Sequence, residues 1–189
     1  MFGGSFDPPH KAHLELVKLV LEKLELDHVL VTVANNPWQK SAVRQVTDSS
    51  HRLEMARLLF SGYSDATVTD IEFQLGSESN TAETLRALRS NYQDAEFYLL
   101  LGQDTAIGIE TWRNPNLVLD QSRVVVVERP GFTDMELPSI LSSAIRIKGL
   151  NLDISSENIR SLLKNEETIA DVIPQVIRNY IAKHGLYRE

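Results

Sequence analysis

The chain has 189 residues with 42% hydrophobic and 24% charged side chains, a globular composition that argues against disorder and fibrous repeats. Its formal net charge of -7 disfavours nonspecific binding to nucleic acid, and its lack of cysteine excludes disulfides, thiolate metal sites and cysteine nucleophiles. We see no secretory leader and no apolar run of bilayer length, so we expect one cytoplasmic domain over residues 1–189 without a membrane partner.

The first half of the chain alternates predicted helices with predicted strands. Apolar residues at three- and four-residue spacing predict an amphipathic helix from about His13 to Asp27. The β-branched run HVLVTVA predicts a buried strand over residues 28–34, and the Asn-Asn-Pro of the following NNPWQKS segment predicts a loop. A helix over residues 50–60 then follows a capping residue, Asp48.

The middle of the chain continues this alternation. ATVTDIEF predicts a strand over residues 66–73, and Asn80 with Glu83 has the spacing of a helix cap, so a helix should begin at Thr81. Two apolar runs, EFYLLLG and RVVVVER, predict buried strands over residues 96–102 and 123–129, with a short helical stretch around residue 117 between them.

The C-terminal part carries two predicted helices. NLDISSENIRSLL, residues 151–163, reads as a short strand that leads into a capped helix, and residues 173–187 predict a last helix stopped by Gly185. Strands that are apolar throughout and alternate with helices imply a parallel sheet covered on both faces, a doubly wound α/β fold of three layers. In such sheets ligands bind beyond the carboxyl ends of the strands.

The opening segment GGSFDPPHKAH has the properties of a phosphate-binding loop, although GxxxxGK[ST] and GxGxxG are both missing from the sequence. Gly3 and Gly4 permit close approach of the backbone to a ligand, and the following helix start presents unpaired N–H groups. His10 and His13 lie on the same side of the first turn. The alternatives are two polar residues of a capped turn, or a zinc pair that would need a third ligand.

A second candidate anion site is ISSENIR, residues 154–160. Ser155 and Ser156 stand at a helix start where hydroxyls and backbone N–H groups converge, and Arg160 follows one turn later with a guanidinium suited to phosphate. By itself this pattern equally fits ordinary helix capping.

Together these motifs resemble, in order and nearly end to end, those of bacterial nicotinate-mononucleotide adenylyltransferases in the nucleotidyltransferase superfamily. GGSFDPPHKAH is similar to their (T/H)xGH motif and ISSENIR to its (I/S)SSxxIR partner. HRLEMARLL resembles the RxxM helix, LLGQDTAIGIETWRN the G-x-D and tryptophan segment, VIRNYIAKHGLY the terminal helix and NNPWQKS the substrate loop. The resemblance implies a Rossmann-like nucleotidyltransferase fold in which residues 155–189 form a helical part carrying ISSENIR.

The resemblance also implies the reaction: nicotinate mononucleotide and ATP give the dinucleotide and pyrophosphate, a step of NAD biosynthesis. The attacking phosphate is already ionised, so catalysis would consist of positioning and charge neutralisation. Mg²⁺ would bridge phosphates and need no protein metal site. The partners would be these small molecules, acting on a monomer or small homo-oligomer.

The resemblance further implies which residues form the site. ATP contacts would come from the opening loop, the GQD segment and ISSENIR: Gly3, Gly4, Ser5, Phe6, His10, His13, Gly102, Asp104, Ile154, Ser155, Ser156 and Arg160. Nicotinate-nucleotide contacts would come from Trp38, Lys40, Asn80, Thr81 and Trp112. The catalytic set would be His10, His13, Lys40 and Arg160.

Several of these roles have structural alternatives. Asp104, expected to hold the ribose hydroxyls, would otherwise cap a helix, and Trp38 and Trp112, expected beside the pyridine ring, would otherwise pack in a loop or the core. The sequence departs from the family pattern at Ser5 and at Ala12, where Thr and Gly are usual, and at residue 80, where an aromatic is common.

The front of the chain is shorter than the fold requires. Only Met1 and Phe2 precede Gly3, whereas a buried strand is typically five or six residues long. We therefore expect the native protein to begin upstream, or the numbering to begin at an internal Met.

Three other functions remain open from the sequence. The acceptor could be nicotinamide mononucleotide or a phosphopantetheine-type phosphate, since an acid and an amide are distinguished without a residue signature. A class I aminoacyl-tRNA synthetase would share the histidine motif, but it would normally need a larger chain, a KMSKS-type loop and a basic RNA surface, and the sequence shows none of these. A nucleotide sensor without turnover would need fewer of the catalytic residues.

Overall fold

Six parallel strands form the centre of the computed structural model, which describes residues 1–76, 78–129, 131–132, 135–149, 152, 154–165 and 167–188. The strands are β1 (Phe2–Gly4), β2 (Val29–Val33), β3 (Ala66–Thr69), β4 (Tyr98–Gly102), β5 (Arg123–Val127) and β6 (Ile145–Ile147). Their order in the sheet is β3-β2-β1-β4-β5-β6, and every neighbouring pair is parallel.

Helices connect the strands. They are α1 (Lys11–Leu24), α2 (Trp38–Ser41), α3 (Ser49–Phe60), α4 (Ile71–Leu75), α5 (Thr81–Asn91), α6 (Gln103–Ala106), α7 (Pro115–Gln121), α8 (Ser156–Lys164) and α9 (Gln175–His184), with 3₁₀ turns at Ile109–Thr111 and Ser139–Leu141. Among the described residues, no helix combines the length and the apolar character needed to cross a membrane.

Each face of the sheet has its own hydrophobic core, because neighbouring strand residues point in opposite directions. On β4, Leu100 joins the core formed with α1, α3, α8 and α9, whereas Leu99 and Leu101 join the core formed with α5, α6 and α7. The three-layer α/β/α architecture expected from uniformly apolar strands is therefore confirmed.

The strand order reverses direction between β1 and β4, which lie side by side although almost a hundred residues separate them in the chain. At such a switch point the loops after the two strands diverge to opposite faces and leave a crevice between them. This places the opening loop, after β1, opposite the GQD segment that follows β4. The doubly wound arrangement predicted from the sequence is confirmed.

Most helix boundaries follow the predicted signals. Helix α1 begins two residues before His13 and ends at Leu24, followed by the capping residue Glu25, whose φ of 49° is left-handed. Helix α5 begins at Thr81, as predicted, with the Asn80 side chain accepting a hydrogen bond from Ala82 N at 3.1 Å. The Glu83 side chain, the second member of the predicted cap, instead forms an ion pair with Arg86 of the same helix.

The strand predicted over residues 66–73 is wrong in its second half. It ends at Thr69, whose hydroxyl accepts a hydrogen bond from Ile71 N at 3.2 Å, and α4 follows at once. Ile71 and Glu72 are both buried, and a strand would have pointed these consecutive residues to opposite faces.

Two further elements of the structure differ from the sequence prediction, and one predicted strand lies partly outside the described residues. The NNPWQKS segment contains a helical turn, α2, since backbone bonds from Lys40 N and Ser41 N return to Pro37 O. Strand β6 was not predicted, because three residues are too short for a periodic signal. The short strand predicted before ISSENIR falls partly on Asn151 and Asp153, which lie outside the described residues.

Candidate active site

Two adjoining cavities lie at the carboxyl edge of the sheet. The larger has a volume of about 620 Å³ and the smaller about 200 Å³. They share a wall formed by the end of β1, the residue after it and the PWQK loop: Gly3, Gly4, Ser5 and Lys40. The site therefore has room for two ligands that meet at the opening loop.

The larger cavity is lined by all twelve residues for which ATP contacts are predicted. They come from the loop after β1, the end of β4 and the start of α8, segments that are distant in the chain. Phe6 is buried, with a left-handed φ of 49°, and its ring lies 4.8 Å from that of His13. Backbone of this kind is costly for a side chain other than glycine and is common at functional sites.

His10 and His13 stack on each other, with ring centroids 3.7 Å apart. The backbone N–H of His10 donates to His13 Nδ1 at 3.1 Å, so the proton of a neutral His13 sits on Nε2. His10 Nδ1 has no hydrogen-bond partner among the described residues, which also contain no group of three or more His, Asp or Glu side chains arranged for a metal.

Both histidines are held uncharged. Burial lowers the pKa of His10 to about 3, and the charge of Arg129 adds to this effect. Burial likewise lowers the pKa of His13, helped by the charge that His10 would carry if protonated and by the charge of Lys40. At neutral pH the pair can offer N–H donors to a phosphate, but the positive charge of the site must come from lysine and arginine.

This burial predicts how stability depends on pH. Below the ordinary histidine pKa of about 6.5, the unfolded chain binds protons that the folded pair excludes, so stability falls as pH falls. We expect each histidine to remove up to about 1.4 kcal/mol per pH unit between pH 6.5 and 5. Thermal unfolding of the chain and of His10→Gln/His13→Gln at pH 7, 6 and 5 measures this. Equal pH slopes for both proteins would contradict it.

The ISSENIR helix is joined directly to the opening loop. Ser156 Oγ donates to Pro8 O at 2.9 Å, and Arg160 Nη1 donates to Asp7 O at 2.7 Å. Ser155 caps α8 by accepting a hydrogen bond from Asn158 N at 3.1 Å. These predicted ATP residues therefore also fix the loop that carries the histidines.

The GQD segment depends on close packing around Asp104. A Cβ at Gly102 would lie 2.6 Å from Asp104 Oδ1, so a side chain at this position would require the carboxylate to move. The other carboxylate oxygen, Oδ2, accepts a hydrogen bond from Arg129 Nη1 at 2.7 Å. Sequence reasoning missed Arg129, although it follows β5 as Asp104 follows β4, and the strand-end rule could have found it.

Arg52 has the largest fully buried side chain among the described residues, and the sequence prediction left it without a role. It is 1% exposed and donates to four backbone carbonyls: Thr47 O at 2.7 Å, Ser5 O at 2.8 Å, Ala34 O at 2.7 Å and Asn35 O at 3.0 Å. It thereby ties together the loops that follow β1 and β2. In the sequence, the resemblance of HRLEMARLL to the RxxM helix was the signal that could have indicated a role for Arg52.

The smaller cavity is lined by all five predicted nicotinate-nucleotide residues: Trp38, Lys40, Asn80, Thr81 and Trp112. Trp112 also packs against the hydrophobic core formed with α5, α6 and α7, so the core-packing role given as its alternative is present as well. Across the cavity, Gln39 Nε2 donates to Thr111 Oγ1 at 3.2 Å, which connects the PWQK loop with the tryptophan segment.

Two charged residues of the smaller cavity were not predicted. Glu72 is buried beneath it, and burial raises the pKa of this carboxyl. The guanidinium of Arg113 lies 5.0 Å from the centre of the Trp38 ring. Arg113 directly follows a tryptophan that the sequence did single out, whereas Glu72 was hidden by the incorrect strand prediction.

A loop with two histidines and a helix start that meet over the switch point of a parallel sheet define the class of this protein as a nucleotide-binding α/β protein. The cytidylyltransferase-like family matches residues 1–175. Two relatives named probable nicotinate-nucleotide adenylyltransferase, from Gemmatimonas aurantiaca and Bordetella petrii, are each 35% identical over 100% of this chain and are covered over 92% and 97% of their length. The chain therefore belongs to the nicotinate-nucleotide adenylyltransferases within that family.

A solved structure agrees with this assignment. The nicotinic acid mononucleotide adenylyltransferase of Plasmodium falciparum, complexed with NaAD, has a TM-score of 0.80 and 24% identity over 98% of this chain and 95% of its own. This likeness confirms the nucleotidyltransferase fold. The family and the enzyme class expected from the sequence are confirmed by the bacterial relatives.

Proposed function

We propose that the chain, acting as one nucleotidyltransferase domain over residues 1–189, transfers the adenylyl group of ATP to nicotinate mononucleotide. The observation that carries this proposal is the pair of adjoining cavities, one lined by the predicted ATP residues and the other by the predicted pyridine-nucleotide residues. Their shared wall at Gly3, Gly4 and Ser5 is where the two phosphate-bearing ends would meet.

The reaction is a displacement at phosphorus. An oxygen of the mononucleotide phosphate forms a bond to the α-phosphorus of ATP, and the bond from that phosphorus to the bridging oxygen breaks. The electron pair leaves with pyrophosphate. The attacking oxygen is already ionised, so the protein positions the reactants and neutralises charge as it develops.

The residues divide this work between them. His10 and His13 donate N–H groups to phosphate oxygens, and Lys40 and Arg160 supply positive charge near the leaving group. Asp104 holds the ribose hydroxyls through the oxygen that Arg129 leaves available. Trp38 and Trp112 offer flat faces to a pyridine ring, which a flexible pantetheine arm would use less well.

Mg²⁺ fits this site as a phosphate-bound ion. Both oxygens of Asp7 already accept hydrogen bonds, from Arg44 and Tyr187, and Asp104 is paired with Arg129. The described residues thus present no carboxylate cage, and the phosphates would supply most ligands, as is usual for this ion. When bound, Mg²⁺ supplies charge neutralisation on the phosphates. We place the reaction in the cytoplasm, in keeping with the absence of cysteine.

The proposed function is tested by pyrophosphate release with ATP and Mg²⁺ on nicotinate mononucleotide, nicotinamide mononucleotide and phosphopantetheine in parallel. We expect release with the nicotinate substrate to be strongest. Preference for the nicotinamide form would retain the chemistry and overturn the acid specificity. ATP binding without turnover on any of the three would contradict the proposed reaction and favour a sensor.

A further inference from the structure

Three positive side chains converge at one end of the larger cavity. Lys40, Arg44 and Arg160 all line it. Burial lowers the pKa of Lys40, and the charges of Arg44 and Arg160 lower it further. The charge of Arg44 also lowers the pKa of Arg160, after burial. The three groups are thus close enough to repel one another.

The buried carboxylate of Asp7 forms an ion pair with Arg44, one member of this cluster. The Asp7 side chain is 0% exposed, and its Oδ2 accepts a hydrogen bond from Arg44 Nη1 at 2.6 Å. Its Oδ1 accepts from the Tyr187 hydroxyl at 2.9 Å. Among the described residues, no carboxylate lies within ion-pair distance of Lys40 or Arg160. Asp104 and Asp7 attract Lys40, and Asp7 and Glu157 attract Arg160, only at longer range. Among the described residues Arg44 alone of the three is ion-paired, so an anionic ligand would bring the other two a counter-charge in direct contact.

Arg44 keeps part of its guanidinium for such a ligand. Its described hydrogen bonds, to Asp7 Oδ2 and to Gln45 O at 2.8 Å, both come from Nη1. The N–H groups of Nη2 and Nε therefore have no acceptor among the described residues, and the side chain is 25% exposed where it borders the cavity. A guanidinium anchored at one end can bind phosphate with its remaining donors.

We propose that Arg44 is a further substrate-binding residue, which holds the terminal phosphates of ATP and, after transfer, the pyrophosphate. This inference rests on the proposed function. It adds a cation to the leaving-group side of the reaction, where negative charge develops as the bond to the bridging oxygen breaks. Asp7 and Tyr187 act as positioning residues that hold Arg44 against the repulsion of its neighbours.

The test compares Arg44→Gln and Arg44→Lys with the unchanged enzyme in the reverse reaction, in which nicotinate adenine dinucleotide and pyrophosphate give ATP and the mononucleotide. We expect Arg44→Gln to raise the KM for pyrophosphate about tenfold or more, the effect of losing a hydrogen bond between charged groups. The KM for the dinucleotide should change little. Arg44→Lys, which keeps the charge, should recover part of the loss.

Arg123→Gln is the matched control, because it removes the same charge from the opposite end of the sheet, where Arg123 is 65% exposed and pairs with Glu96. It should leave both KM values unchanged. An unchanged pyrophosphate KM in Arg44→Gln would overturn the inference, as would an equal rise for both substrates. Absence of reaction in the unchanged enzyme would instead contradict the proposed function. If Arg44→Gln does not fold, Arg44→Lys and its pyrophosphate KM decide.

Discussion

Replacement of His13 by alanine is expected to lower kcat about 10²- to 10³-fold, the usual effect of removing one donor to a transition-state oxyanion. The His10 backbone N–H donates to His13 Nδ1, so the ring N–H at Nε2 is the donor that His13 would offer to a phosphate under the proposed function. Because the histidine is uncharged, its contribution is a positioned donor. Steady-state rates of pyrophosphate release at saturating substrates measure the effect.

His13→Gln is the informative companion variant, since its side-chain amide can place an N–H near the Nε2 position. We expect it to recover a measurable part of the lost kcat, while calorimetry shows ATP still binding to both variants. An unchanged kcat in His13→Ala would remove His13 from the mechanism. Equal rates for the two variants would show that the donor at Nε2 contributes nothing.

The sheet was largely predictable because its strands carry strong local signals. The runs that became β2, β4 and β5 carry apolar residues at consecutive positions, such as Leu99–Leu101 and Val124–Val127, which is typical of a strand covered on both faces. The Asn80 cap fixed the start of α5 for a similarly local reason. The prediction was wrong where one apolar pattern fits both a strand and a short helix. Ile71 and Phe73 alternate with polar residues as in a strand, yet tertiary packing makes them helical.

The site was predictable only in its motifs. Nothing in the residues of GGSFDPPHKAH or ISSENIR predicts that the Ser156 hydroxyl will donate a hydrogen bond to Pro8 O, 148 residues away in the chain. That contact follows from the fold and was not predicted; family resemblance implied only that the two motifs contribute to one ATP site. Family resemblance did not single out Arg44 or Glu72. Each becomes part of a cavity only once the chain has folded and its loop or helix packs against the rest of the site.

Arg52 shows most clearly what a local reading misses. In the sequence it stands in an amphipathic-looking helix, where a charged residue normally faces solvent. In the fold its guanidinium lies between the loops after β1 and β2 and supplies donors to backbone carbonyls of both. Ala34 N still donates to Gly4 O at 2.9 Å, but the carbonyls of Ser5, Ala34 and Asn35 lie beyond the ends of the strands, and the Arg52 guanidinium supplies their donors.

We therefore expect Arg52→Met to reduce the free energy of unfolding by about 3 to 5 kcal/mol and to lower Tm by roughly 10 °C, measured by thermal and urea denaturation. Methionine fills much of the same volume, so the loss comes from four backbone carbonyls that lose the Arg52 donors, those of Thr47, Ser5, Ala34 and Asn35. Since Ser5 belongs to the opening loop, kcat should fall as well, even at temperatures where the variant is folded.

Arg57→Met is the matched control, since Arg57 lies in the same helix but is 47% exposed, and its ion pairs with described residues are long, at 4.0 Å to Glu54 and 3.7 Å to Asp70. Exposed pairs contribute little, so its stability should change by less than about 1 kcal/mol and its kcat should not change. If Arg52→Met loses no more stability than Arg57→Met, the four carbonyl bonds add nothing net to folding, and the two loops must be held by the hydrophobic contacts of α3 alone.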